Sequence, residues 1–93
     1  MKYLLVWHVK DPFKDNLEKT LAIQKKRVDK GEALGETILF PIHSFVTENK
    51  ACMIVETEDY SKIAKWAAAY SSVFNYKVIP LVEWSSIREY FTS

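Results

Sequence analysis

A chain of 93 residues that is 48% hydrophobic and 27% charged has the composition of one small folded core, which excludes a disordered or fibrous segment. Its net charge of +1 supplies no field of one sign to attract nucleic acid or an anionic membrane surface. The lone cysteine, Cys52, excludes an intrachain disulfide and a thiolate metal cluster, so a reducing, cytoplasmic location is expected.

The first apolar run, Tyr3 to Val9, has strand composition and ends at Lys10-Asp11-Pro12. It is too short for a signal peptide's apolar region or a membrane span. Asp11 can cap a helix and Pro12 suits a first helical position. Phe13, Leu17, Leu21, Gln24 and Val28 then recur at helical spacing as an inward stripe, closed by Gly31 and Gly35. The basic residues from Lys19 to Lys30 are interrupted by Glu18 and Asp29 and read as a solvated helix face. Thr37 to Val46 and Ala51 to Glu56 read as two strands of a hairpin turning at Glu48-Asn49. Thr57 or Asp59 can cap a second helix whose inward stripe is Tyr60, Ile63, Ala64, Ala67 and Tyr70. Tyr76 to Trp84 reads as a fourth strand, and Ser86 to Glu89 has capping-box spacing for a short terminal helix.

The order β, α, β, β, α, β predicts one α+β domain over residues 1–93 with a ferredoxin-like fold. Its four-stranded antiparallel sheet has strand order 4-1-3-2 and two helices on one face. Pro41 and Pro80 fall in the second and fourth strands, the edges of that order, where a residue without an N–H is tolerated. Two helices cover one face only, yet both parities of the strands are apolar. Leu4 and Val6 oppose Leu5 and Trp7; Ile38, Phe40 and Ile42 oppose Leu39, His43 and Phe45. The uncovered face is therefore expected to pair with the same face of a second copy.

Met1-Lys2-Tyr3 with Trp7, Ile54 to Asp59 leading to Trp66-Ala67, and Tyr76 to Val82 carry a resemblance that spans nearly the whole chain. The pattern resembles the dimeric α+β-barrel superfamily, most closely a family of short prokaryotic proteins of unknown function. The resemblance implies a homodimer joined sheet to sheet, and ligands held between sheet and helices. Relatives tend to carry a Trp-His pair on the second strand and a glycine-rich hairpin. Here His43 has no adjacent tryptophan and the hairpin no glycine.

No spacing matches a metal site, a phosphate loop or a Ser-His-Asp arrangement, so no metal, cofactor or catalytic residue is assigned. His8, His43 and Cys52 are the residues suited to metal or nucleophile chemistry; a turn at Glu48-Asn49 pairs Phe45 with Cys52 and His43 with Ile54. Trp7, Trp66, Tyr70, Asn75 and Tyr76 supply aromatic bodies and polar tips of the kind that line small-molecule pockets. The candidate ligand-binding residues are Trp7, His43, Trp66 and Tyr70, for a small, largely apolar molecule. An interaction module with a solid core and a cofactor-independent monooxygenase or isomerase are the alternatives. An RNA-recognition module is excluded, because Lys50-Ala51-Cys52-Met53-Ile54-Val55 has neither the glycine nor the stacking aromatics.

Overall fold

The architecture was obtained as a computed structural model that describes residues 1–32, 37–45 and 47–92. The β-branched and aromatic runs become strands β1 (Lys2–Val9), β2 (Thr37–Phe45), β3 (Lys50–Glu56) and β4 (Phe74–Leu81). Helices α1 (Phe13–Asp29), α2 (Tyr60–Tyr70) and α3 (Trp84–Thr92) follow β1, β3 and β4. The result is an α+β fold with one four-stranded antiparallel sheet, in the order β2-β3-β1-β4. From the β4 edge that order is 4-1-3-2, with Pro41 and Pro80 on the two edge strands.

The central pair sets the face that the helices cover. Leu5 opposes Met53 on β3 and Val78 on β4, and Trp7 opposes Ala51 and Tyr76. Since side chains alternate along a strand, this parity points toward the helices and supplies Leu5, Trp7, Val9, Ala51, Met53 and Val55 to the core. Leu4, Val6, Cys52 and Ile54 take the opposite face, where the two central strands remain half-buried and Phe40, Phe45 and Ile79 on the edges are exposed.

Several local expectations are corrected. Asp11 does not cap α1: the position before the helix is Pro12 and no side chain bonds the first turn. The end of α1 is instead secured by backbone. Gly31, at a φ of +69°, donates to the Val28 carbonyl while Glu32 donates to that of Arg27, the paired bonds of a Schellman stop. On β2 the register shifts between Ile38 and Phe40 and again between Phe40 and His43. These bulges move Phe40 off the parity of Ile38 and onto that of His43. β4 begins at Phe74 and ends at Leu81, so Trp84 opens α3 instead of closing the strand. Gly35 and Val46 lie outside the described residues.

The α2 stripe is also shifted. Ile63, Trp66 and Tyr70 are buried, whereas Tyr60 and Ala64 are exposed and Ala67 is half-buried. Trp66 takes the inward direction because its ring fits among the sheet aromatics, a contact that alanine is too short to make. Asp59 caps this helix as expected, accepting from the Ser61 amide at 3.0 Å and from the Ser61 hydroxyl at 2.6 Å.

The Ser61 side-chain bond, then its backbone bond, hold the Asp59 carboxyl below its usual value. A carboxyl depressed on folding adds stability above its unfolded pKa and loses it as pH falls through the lower, folded value. Asp59→Ala is therefore expected to lower the thermal midpoint at pH 7, with Asp59→Asn retaining most of the cap. Below about pH 4, the usual carboxylate range, the gap between wild type and Asp59→Asn should narrow. Circular-dichroism melts across pH 2–7 check both outcomes.

Candidate functional site

An amphipathic helix normally presses its apolar stripe into the core, and α1 does not. Its most buried positions, Asn16, Thr20, Ile23 and Arg27, form a largely polar stripe. Asn16 is fastened by its amide, which donates to the Lys10 carbonyl at 2.9 Å, and Thr20 donates to the Asn16 carbonyl at 2.7 Å. The expected inward stripe lies roughly a quarter-turn further round the helix. Leu17 on it is 37% exposed and Val28 69%.

Most of that second stripe, all but Leu21, borders a cleft. Phe13, Leu17, Gln24 and Val28 form one wall; Ile38 and Ile42 of β2 with Ala51 and Met53 of β3 form the floor. The cleft is open on one side and has a volume of about 780 Å³, within the range of about 300–1,000 Å³ typical of small-molecule sites.

Aromatic rings build the remaining wall. Trp66 meets Trp7 edge-on with centroids 5.5 Å apart and Tyr76 edge-on at 5.7 Å. Tyr70 stacks on Phe74 at 4.8 Å, and Phe74 stacks on Trp7 at 5.8 Å. Such pairs add about 0.5–1.5 kcal/mol each beyond the area they bury. The wall is therefore stiff, and Trp7, Trp66, Tyr70 and Phe74 all border the cleft.

Two charged pairs border it as well. Glu48 and Lys50 lie 3.5 Å apart at the hairpin, with both side chains exposed. Arg27 is different, because the Schellman stop that ends α1 brings Glu32 back beside it, with Nε and Oε2 3.6 Å apart. Arg27 also donates from Nη1 to the Tyr70 hydroxyl at 3.3 Å, and its guanidinium lies 5.3 Å from the Tyr70 ring centre. A planar cation held over an apolar cleft can orient a ligand oxygen.

Trp7, Trp66 and Tyr70 thus converge on the cleft, and His43 stands apart from them. His43 lies on the opposite sheet face, stacked on Phe40 with centroids 4.3 Å apart and with Nδ1 2.7 Å from the Pro41 carbonyl oxygen. Nδ1 donates in that bond, since a carbonyl oxygen can only accept. The bulges on β2 change its strand partner: His43 opposes Cys52 directly, and Phe45 opposes Lys50. Among the described residues no group of three or more His, Cys, Asp or Glu could hold a metal ion. Arg27 escaped the sequence reading because it sits in a lysine-rich stretch that scans as a solvated face, and its Tyr70 partner is 43 positions away.

Sheet, helices and cleft together define an α+β protein with a small-molecule-sized apolar recess beneath its first helix. The chain belongs to the family described as Domain of unknown function (DUF3303), whose model matches residues 1–93. No curated protein matches it.

If α1 borders a space and α2 borders packed atoms, equal truncations on the two helices should differ. Ile63→Ala, at a position with no exposure, is expected to cost about 2–5 kcal/mol. Leu17→Ala should cost less, about 1–2 kcal/mol, because 37% of that residue is already in water. Urea denaturation of both variants measures the contrast; equal losses would mean that α1 is packed in solution.

Proposed function

We propose that this protein binds a small, largely apolar molecule in the cleft between α1 and the β2–β3 half of the sheet. One observation carries the reading: four of the five positions of the helical stripe, Phe13, Leu17, Gln24 and Val28, border a recess walled by Trp7, Trp66 and Tyr70, while Leu21 points away from it. Leaving such a stripe unfilled forgoes about 25 cal/mol for each Å² of apolar surface kept in water. A ligand of matching shape recovers that energy. Trp7, Trp66 and Tyr70 are its contacts in this reading, while His43 is outside them.

The assembly in this reading is a homodimer of ferredoxin-like subunits paired through the open sheet face, as a dimeric α+β barrel. Phe40, Phe45 and Ile79 are exposed on that face beside the half-buried Leu4, Val6 and Ile54, which supports a partner. Helix α3 adds to the argument, since Trp84 is 73% exposed and no residue of α3 joins the core cluster among the described residues. The radius of gyration is 15.1 Å, against about 12 Å expected for a chain of this length, so the subunit reaches outward. The lone Cys52 fits a reducing cytoplasm, and among the described residues no helix is long and apolar enough to cross a membrane.

The uncharged fluorophore N-phenyl-1-naphthylamine tests the cleft. It should brighten on binding and take up excitation energy from Trp66 and Trp7, and Gln24→Trp, which places an indole in the recess, should abolish the uptake. Binding that survives Gln24→Trp unchanged would place the probe elsewhere. Sedimentation equilibrium at micromolar concentration tests the assembly: dimers are expected, reverting to monomers in Ile54→Asp, and a monomeric wild type would overturn the pairing.

A further inference from the structure

We infer that the cleft selects molecules carrying one acidic group on an apolar body, with Arg27 as the residue that holds the anion; the inference rests on the cleft being a binding site. Two cations border the recess, and they differ in hydration. Lys50 is exposed and pairs with Glu48 at 3.5 Å, so its charge is already met by water and a neighbour. The Arg27 side chain is only 14% exposed, and its Nε atom is buried without a hydrogen-bond acceptor among the described residues.

A guanidinium has five N–H donors, and Arg27 makes one described hydrogen bond, the 3.3 Å contact from Nη1 to the Tyr70 hydroxyl. The Glu32 carboxylate stands 3.6 Å from Nε, beyond hydrogen-bond length. Burying the Nε donor without an acceptor is unfavourable even with Glu32 near it, and an anionic acceptor relieves that cost more than a neutral one does. The geometry favours such an acceptor. The Tyr70 ring, 5.3 Å from the guanidinium carbon, and the Schellman stop at Gly31 hold Arg27 where it borders the apolar space, so little side-chain freedom remains to be lost on binding.

The surroundings also set the charge and body of the ligand. One guanidinium matches one carboxylate or sulfonate, whereas Glu32 and Glu48 on the border repel further negative charge. Phe13, Leu17, Trp7, Trp66 and Phe74 offer apolar contacts, so the ligand resembles an aromatic or long-chain monocarboxylic acid. Glu32, the nearest anion, then competes with the ligand for Arg27.

Paired probes with one ring system read this out. The wild-type protein is titrated with 1-anilinonaphthalene-8-sulfonate and with uncharged N-phenyl-1-naphthylamine at constant ionic strength. Arg27→Met is expected to weaken the sulfonate by about tenfold or more, the loss of one charge-assisted hydrogen bond, and to change the neutral probe by less than about twofold. Glu32→Gln should tighten the sulfonate alone. Sulfonate binding unchanged in Arg27→Met, or unchanged or weakened in Glu32→Gln, overturns the inference. If Arg27→Met loses both probes through misfolding, Glu32→Gln alone decides between the same outcomes. A wild type that takes the neutral probe into the recess without preferring the sulfonate refutes Arg27 as the anion holder and leaves the apolar site standing; a wild type that takes neither probe removes the site itself.

Discussion

The contact between Trp66 and the aromatic residues of β1 and β4 governs the rest of this molecule. A short helix approaches a sheet closely only where the side chain between them fills the gap, and here an indole meets Trp7 and Tyr76 edge-on and Phe74 at a tilt. That contact commits α2 to the β1–β4 half of the sheet, with Ile63 fully buried beside it. The β2–β3 half is left for α1, and Trp66 with Tyr70 forms a wall that α1 does not cross.

Against that wall, α1 turns a largely polar stripe inward. Asn16 near its start finds the Lys10 carbonyl, and Arg27 near its end finds Tyr70, so two anchors position the helix without an apolar seam between them. Hydrogen bonds of this kind contribute about 1 kcal/mol each, far less than a packed stripe of leucines, so they fix orientation more than they add stability. The apolar stripe consequently faces the sheet across open space. The cleft follows from that rotation.

The strands were legible because their signals are local. Runs of β-branched and aromatic residues, and strand prolines confined to Pro41 and Pro80, require no knowledge of distant neighbours. Helix faces were less legible, since choosing Trp66 over Ala64 as the inward residue depends on rings contributed by β1 and β4. Register on β2 was illegible for a similar reason. Two bulges around Phe40 alter which residues share a face, and no glycine in that strand marks them. Of the four residues singled out for the candidate site, His43 lies on the other sheet face, whereas Trp7, Trp66 and Tyr70 border the cleft and could be picked out as large side chains with polar tips. Arg27 could not, because a buried arginine and a solvated one look the same in a run of lysines.

A chain of this size has little core to spare, and its own burial shows where the shortfall falls. Among the described residues, β1, β3, β4 and α2 with the segment after it supply the buried cluster, while α1 contributes only Ile23 at its margin. The seventeen residues of α1 therefore add much chain entropy to be overcome and little burial to offset it. On the proposed reading a ligand completes that half of the core, so occupancy and the docking of α1 are one equilibrium. A ligand at one hundred times its dissociation constant would add about 2.7 kcal/mol to the bound form, a large share of the stability of a small domain. Arg27 joins the two processes, since its carbonyl accepts the bond that ends α1 while its side chain lies beside the cleft. On that reading, the helix terminus and the proposed selectivity of the recess are properties of the same residue.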